Sequence, residues 1–473
     1  MVCHPFVHEV FLLALLWQLV FSYWTWKRGQ ATKHPPTQQP KRLPQTPKPF
    51  AGLTQKPLCE GCEHDQAHRD PPLRPSPPPV LIPKQGRPRT VATHQHYCPQ
   101  QICPYYGWLG RGNIHANGHP GSGPWRQLQC VVCQTYFLET RGTVFQGKRV
   151  PAQLLVRVIA ALAEGIGLRA VARVFEVEPN TVLQWLGEAA DQLQAFSQYW
   201  LHEVHLSQVQ LDELFAVLSE VKAGAVSDTE ALERLSRSPH WVWVALDPVS
   251  KLLLSMDVGE RSLAMAQRVV HHDVQVLAPG CIPLFLTDGF KAYTTAILTH
   301  VGRWVQSSRR QAQGPAPKPR WMPRPELLYA QVVKQYRRRL VGMCHRVVFG
   351  TLAGVQRVLA AQGWHINTAF VERVNLTTRH HVAAVGRRVL TLCKSPVGLR
   401  SQLILYHTYY NFCLRHAGSR VPLAQPQLTN GSGSVKKWQL RTPAMAAGLT
   451  DHVWRLHEVL LFRVPPWPQP ADL

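Results

Sequence analysis

Three carboxylates stand apart in a chain otherwise short of acid: Asp212 in VQLDELF, Asp288 in LFLTDGFKAY and Glu372 in NTAFVERVNLTTR. Between Gly289 and Arg400 the only acidic residues are Glu326 and Glu372, set among many Arg and Lys. A carboxylate kept in so basic a stretch calls for a use. Each Asp follows an apolar, strand-like run, and Glu372 lies in a helical pattern. Two strand-end aspartates and a helical glutamate can converge on two divalent cations, Mg²⁺ or Mn²⁺. That is the machinery of metal-assisted phosphoryl transfer on nucleic acid. Asp247 and Asp257 are the rival ligands, but both sit in turn-like contexts, which points to turn chemistry.

The elements that must position these groups fall in residues 203–410. His205 to Leu211 alternates in hydropathy and runs into Asp212. His240 to Leu246 is strand-like, Asp247-Pro248-Val249-Ser250 is a turn, and Lys251 to Met256 returns as a strand. A helix is expected over Ser262 to Leu277, then a short apolar run, Ile282 to Thr287, ends at Asp288. Strand with acid, hairpin, helix, strand with acid, helix is the order of an RNase H-like α/β domain. Ligands of such sheets gather at strand ends. Arg303 to Arg324 is a basic, Pro-rich insertion. Pro325 to Arg339 reads as a helix ending in Arg337-Arg338-Arg339. Phe370 to Leu390 is a strong helical pattern that places Glu372, Asn375, Leu376 and Arg379 in one sector. Arg379, two turns from Glu372, would aim a cation at a DNA phosphate. The bland alternative is a surface Glu–Arg pair.

The chain has 473 residues, with 52 Lys and Arg against 28 Asp and Glu, a formal net charge of +24. The length suggests several domains, each able to bury a core. The charge points to a polyanionic partner, nucleic acid first among them, rather than to a basic protein with no specific partner. Of the 11 cysteines, Cys98 pairs with Cys103 and Cys130 with Cys133, and Cys59 lies near Cys62. Such pairs favour zinc in a reducing compartment over a secreted disulfide frame. Cys281, Cys344, Cys393 and Cys413 read as buried thiols. The apolar run from Phe11 to Trp26 is short for a membrane span, and its basic residues follow rather than precede it. An amphipathic docking helix fits it better than a mis-assigned start, a membrane anchor or a secretory signal, and a cytoplasmic, nucleoid-associated protein is expected.

Residues 1–93 comprise this run and a basic, Pro-rich linker without hydrophobic periodicity. The linker contains CEGCEHDQAH, with Cys59, Cys62, His64 and His68 crowded together. Arg87-Pro88-Arg89 follows, a sequence able to lie in a narrow minor groove or simply to stay solvated. Residues 94–147 read as a zinc ribbon, in which Cys98, Cys103, Cys130 and Cys133 hold one structural Zn²⁺. Gln127 to Val132 and Thr135 to Glu139 are its strands, and His94 and His96 are nearby polar residues. Residues 148–195 read as a helix-turn-helix: Ala152 to Glu164, Leu168 to Phe175, then a helix opening at Pro179. Asn180, Thr181 and Gln184 are expected to face the groove, with Trp185 and Leu186 inward. A plain helical bundle is the alternative. Residues 411–473 are a C-terminal tail. The fold class is therefore multidomain α+β: zinc ribbon and helix-turn-helix, then an RNase H-like α/β catalytic domain.

NTAFVERVNLTTRHHVAAVGRRVLTLCKS resembles the glutamate region of bacterial insertion-sequence DDE transposases of the insertion-sequence-one type. The shared core is Glu372-Arg373-Val374-Asn375-Leu376, followed by Arg379, Arg387, Arg388, Lys394 and Ser395. LDELF and TDGFKAY look like that family's two aspartate motifs. The resemblance covers roughly residues 94 to 410. The N-terminal segment, the stretch from Glu213 to Pro239 and the basic insertion exceed the family's short members. The resemblance implies Asp212, Asp288 and Glu372 as the catalytic, Mg²⁺-binding triad, with Arg373, Asn375 and Arg379 on DNA. It implies cleavage at the element's inverted repeats and transfer of 3′-hydroxyl ends to target DNA. A homodimer or larger assembly is expected, since two ends must be paired, and no obligate protein partner is indicated. A DNA-binding regulator with an inactive transposase-derived domain, and a nuclease that only hydrolyses, are the alternatives.

Overall fold

A computed structural model of the chain describes residues 75–81, 93–216, 240–307, 317–337, 339–385, 395–428 and 435–469. Several sequence features lie outside these residues: the apolar run 11–26, the Cys59–His68 cluster, Arg87, Arg89, Arg387, Arg388, Cys393 and Lys394. Among the described residues no helix is long and apolar enough to cross a membrane. The chain divides into two units, one of residues 1–70 with 335–342, the other of residues 71–334 with 343–473.

The second unit opens with a three-stranded sheet of β1 (Ile114–Ala116), β2 (Gln127–Cys130) and β3 (Tyr136–Leu138), antiparallel in sequence order. Three helices follow: α1 (Ala152–Ala163), α2 (Leu168–Val174) and α3 (Pro179–Trp200). Pro179 opens α3 at a position where its missing N–H costs nothing. The α1–α2 turn passes through Gly165 at φ +87°, where a Cβ would lie 2.2 Å from the carbonyl oxygen of His380. Only glycine lets that turn approach so closely.

The next elements are β4 (Gln208–Phe215), β5 (Trp241–Leu246), β6 (Leu253–Gly259), α4 (Leu263–Val276), β7 (Leu284–Asp288) and α5 (Ala292–Val301). A small ribbon, β8 (Arg303–Val305) with β9 (Arg320–Met322), precedes β10 (Tyr329–Arg337) and β11 (Arg339–Phe349). Then come α6 (Leu352–Ala360), α7 (Ala369–His381) and α8 (Pro396–Thr408), which continues as a π-turn over Tyr409–Cys413. A second ribbon, β12 (His416–Leu428) with β13 (Val435–Arg441), leads to α9 (Pro443–Ala446) and α10 (Leu456–Leu461). Side-chain hydroxyls cap four of these helices: Ser262, Thr351, Ser395 and Thr442 each accept a first-turn amide.

The six-stranded sheet has the order β11-β10-β7-β4-β5-β6. β10, β7 and β4 run parallel, while β5 and β6 pair antiparallel beyond β4, so the sheet is mixed. Both faces are covered. Trp243 and Ala245 of β5 pack into a core shared with α1, α3, α4 and α5. Val242, Val244 and Leu246, the alternate residues, pack against Val371 and Val374 of α7 and Leu399 and Leu403 of α8. Two-residue alternation with both faces apolar makes β5 a central strand.

The segment 325–339, read from sequence as a helix, is instead the strand β10. Its short apolar stretch fits either period. Register pairing with β7, Tyr329 opposite Phe285 through Val332 opposite Asp288, decides the outcome. Asp257 likewise lies within β6 rather than in a turn, with Arg268 and Arg400 as its ion-pair partners. Asp247 does perform turn chemistry, its carboxylate accepting the amides of Val249 and Ser250.

Candidate metal centres and their surroundings

β4 and β7 are parallel neighbours in a register that sets Leu211 beside Thr287. The next residue on each strand is Asp212 and Asp288, so the two carboxylates stand side by side. β7 ends at Asp288. Glu213, the next residue of β4, joins the group. Ligand oxygens of Asp212, Glu213 and Asp288 all lie within 4.8 Å of one another. Glu213 carries no motif signal, because neighbouring residues of a strand point to opposite faces; its partners come from distant elements.

Arg261 decides how Glu213 is held. Its Nη2 lies 3.1 Å from Glu213 Oε2 and 3.2 Å from Asp288 Oδ2. The guanidinium itself stacks over Phe290, 4.2 Å from the ring centre. Asp288 Oδ1 accepts the Phe290 amide at 2.9 Å, which fixes the carboxylate's rotation. Burial, then the charge of Asp288, pushes the Glu213 carboxyl up to about 7, with Arg261 opposing. Asp212 is also pushed up to about 7, by burial first and the neighbouring Asp288 second, with a smaller push from Glu372. Burial and the neighbouring carboxylate both favour the uncharged forms, a penalty that a bound cation would offset.

Glu372 lies outside this three-carboxylate group but faces it from α7. Gln210 of β4 ties down the start of α7, accepting the Val371 amide at 3.2 Å and donating to Asn367 O at 3.0 Å. Within the helix, Asn375 donates to Asp212 Oδ2 at 2.8 Å. Glu372 Oε1 accepts from Thr368 Oγ1 at 2.7 Å and from Lys334 Nζ at 2.6 Å. Lys334 stands two residues beyond Val332, the β10 partner of Asp288. Its ammonium also lowers Asp212, so one cation serves both carboxylates. Neither Lys334 nor Gln210 belongs to any local motif. Leu376, from the same sequence sector, and the neighbouring Arg373 are exposed, while Arg379 takes part in contacts within the chain.

The acidic set is chemically suited to a hard divalent cation: oxygen donors, partial burial and a mutual repulsion that Arg261 and Lys334 offset only in part. It lies apart from a cavity of about 580 Å³ lined by residues of α3, α4, β6 and α8.

The four cysteines form a second centre. Cys98, Cys103, Cys130 and Cys133 bring their sulfurs within 4.8 Å of one another. Cys98 Sγ is 3.4 Å from Cys133 Sγ, and Cys103 Sγ is 4.0 Å from Cys130 Sγ. Tetrahedral zinc with Zn–S bonds of about 2.3 Å would separate its sulfurs by roughly 3.8 Å, so the group could hold Zn²⁺. Asn113 Nδ2 donates to Cys130 Sγ at 3.4 Å. Burial raises Cys98 strongly and takes Cys103 to about 11. Burial also opposes ionisation of Cys133, but hydrogen bonds from Thr135 outweigh it and bring that thiol to about 7. His94 and His96 are not in the sulfur group. Of the scattered thiols, Cys281 and Cys413 are half-buried and Cys344 is exposed rather than buried.

In α3, Asn180 and Gln184 are exposed and Thr181 is partly so, while Trp185 and Leu186 are buried. Gln184 donates to Glu188, which also pairs with Lys148.

No protein-family model and no curated protein matches the chain. Among solved structures it is similar to a pre-cleavage Mos1 transpososome at 14% identity over 33% of this chain and 59% of that chain, with a TM-score of 0.13. It is similar to the Mos1 Strand Transfer Complex at 13% identity over 51% of this chain and 81% of that chain, also with a TM-score of 0.13. The chain thus spans about three fifths of the first relative's length. At that TM-score the likeness decides nothing, and the geometry stands on its own.

Proposed function

We propose that this chain is a metal-dependent, DNA-processing transposase whose RNase H-like domain cuts element ends and joins 3′-hydroxyls to target DNA. One observation carries the reading: Asp212 and Asp288 stand side by side on parallel β4 and β7, with Glu372 of α7 near enough for its charge to push Asp212 up. Asp212 and Asp288 would hold the shared divalent cation, and Glu372 would complete the second site once Lys334 yields its place. Bound there, two Mg²⁺ ions supply Lewis-acid stabilisation of the attacking and leaving oxygens. Asn375, donating to Asp212, would fix that carboxylate's rotation for the ions. Arg261 pairs with Glu213, so that this acid would serve as a support beside the site while Asp212 and Asp288 act as ligands. Lys334, displaced from Glu372, is placed to meet a phosphate oxygen.

The Cys98–Cys103–Cys130–Cys133 zinc site and the α2–α3 helix-turn-helix would grip the inverted repeats, with Asn180, Thr181 and Gln184 reading bases. Arg373 and Arg379, and Arg87 and Arg89 in the linker, would meet phosphate. A homodimer or larger assembly would pair two ends.

The test is strand cleavage and joining by purified protein in Mg²⁺. Asp212→Asn, Asp288→Asn and Glu372→Gln should each lower both steps by more than about 10²-fold with DNA binding retained. Double changes should do little more than single ones, since the ligands act as a unit. Glu326→Gln, at an exposed acid, should keep activity. Wild-type protein that cuts DNA yet never joins a pre-cut 3′-hydroxyl end would make it a nuclease. A Glu372→Gln protein that still joins such an end would remove Glu372 from the site.

A further inference from the structure

β12 and β13 form a two-stranded ribbon that no core accounts for. In β12 only Ser419 is buried, and every residue of β13 is exposed except Arg441, which is half-buried. Contacts concentrate at one end. Ser419 Oγ donates to Ser250 O at 3.4 Å, Arg441 Nε donates to Ser419 O at 2.9 Å, and His416 packs edge-on against Tyr410 at 4.4 Å. An isolated two-stranded hairpin is marginal in water. This one also leaves Leu428, Val435, Trp438 and Leu440 exposed. A ribbon wet on both faces with apolar side chains outward is built to lie against something.

Charge says what. The ribbon carries Arg420, Lys436, Lys437 and Arg441, and the sequence holds no Asp or Glu from Arg373 to Thr450. The cations are interleaved with an aromatic: Arg420 lies over the Trp438 ring at 4.5 Å, and Trp438 sits opposite Pro422. A second copy of the chain is a poor occupant on two counts. Pro422 and Pro426 have no N–H to offer an added strand along β12. Two identical ribbons would also set like charges against each other. A B-form major groove admits a two-stranded ribbon. The seven residues of β13, at about 3.3 Å each, span roughly 23 Å, enough to cross it from one phosphate row to the other.

We infer that the β12–β13 ribbon is a DNA-contacting arm that grips duplex DNA through Arg420, Lys436 and Lys437 with little regard to sequence. This rests on the DNA-processing reading above. It adds a third DNA-binding element, distinct from the helix-turn-helix and the cysteine site.

The test compares the full chain with an Arg420→Gln/Lys436→Gln/Lys437→Gln variant on a labelled random duplex, by anisotropy over a salt series, alongside sedimentation of the DNA-free protein. Each lost phosphate contact reduces the slope of log affinity against log salt by about 0.9, so the variant's slope should fall by about 2–3. Affinity at physiological salt should fall at least about tenfold. If the triple variant melts early, the same comparison is made with Lys436→Gln/Lys437→Gln, at two exposed positions of β13, with a slope loss of about 2. Wild-type slope and affinity in a folded variant would overturn the arm and leave the catalytic reading intact. So would a wild-type dimer that dissociates in the variant with DNA affinity per protomer unchanged, which would make the ribbon a protein interface. A lost slope beside an Asp212→Asn protein that still cuts DNA would instead keep the arm and sink the catalytic reading.

Discussion

Asp212 and Glu213 show how one strand can put two neighbouring acids to different uses. Asp212, on the face covered by α7, accepts from Asn375, and the charge of Lys334 only partly offsets its burial and the neighbouring Asp288. Glu213, on the face covered by α5, pairs with Arg261, which it shares with Asp288. The aspartates could be read from sequence because each ends an apolar run in acid-poor surroundings. Glu213, Arg261 and Lys334 could not, since their meaning comes from partners dozens of residues away. Asp273 of α4 is a third kind of acid. It is fully buried, and neither oxygen has a hydrogen-bond partner of good geometry, although the Ser255 hydroxyl is near enough to oppose the effect of burial slightly. Burial pushes its carboxyl up to about 7. A raised carboxyl favours the folded state below the unfolded value near 4, and that contribution is lost as pH rises through about 7. Asp273→Asn should therefore raise Tm at pH well above 7 and change it little near pH 4. Thermal melts across that range check it, and a Tm gain equal at both ends would show that the carboxylate is not the cause.

Among elements, α7 is the one whose placement the function depends on. The sequence signals its helix from Phe370 onward, and the structure gives Ala369–His381 followed by a 3-10 turn at Ala383–Val385. What the sequence does not signal is the anchor. Gln210 is buried in β4 and spends its carboxamide on two backbone groups at the start of α7. A glutamine in an apolar strand pattern looks like an interruption until its helix is placed beside it. Gln210→Leu keeps the volume and orphans the Val371 N–H and the Asn367 C=O. Stability should fall by about 1–3 kcal/mol, and cleavage should fall more than DNA affinity, because Glu372 and Asn375 ride on that helix. Denaturant melts and single-turnover cleavage measure the two effects. Equal losses in cleavage and affinity would mean that α7 is held by other contacts. The strand β10 teaches the opposite lesson. Its short run fits helix and strand alike, and only the parallel pairing with β7 selects the strand.

At the scale of the whole molecule, the two ends of the described chain are tied together. Residues after α10 return to the cysteine site: Arg463 lies over the Tyr97 ring at 3.8 Å and donates to Tyr97 O, while Tyr97 donates to Val464 O. Trp467 packs edge-on against both Tyr106 and Trp108. Gln469 bonds to the Gly107 carbonyl and the Leu109 amide. Gly107, at φ +74°, must be glycine here, since a Cβ would fall 2.6 Å from Pro466. Composition alone reads residues 411–473 as a tail, because no local period reports contacts made more than 350 residues away. The cysteine unit has only a small core of its own, so metal should supply much of its folding energy. Removing zinc by chelation, or by Cys133→Ser, should then release the C-terminal strap as well as the knuckle. Trp108 and Trp467 would become wet together, shifting tryptophan emission to the red. The sheet core, centred on β5 and its two covering layers, should still melt cooperatively at higher temperature. Metal analysis, emission spectra and calorimetry on one sample decide the matter. Zinc loss with unchanged emission would show that the strap holds the unit closed without metal.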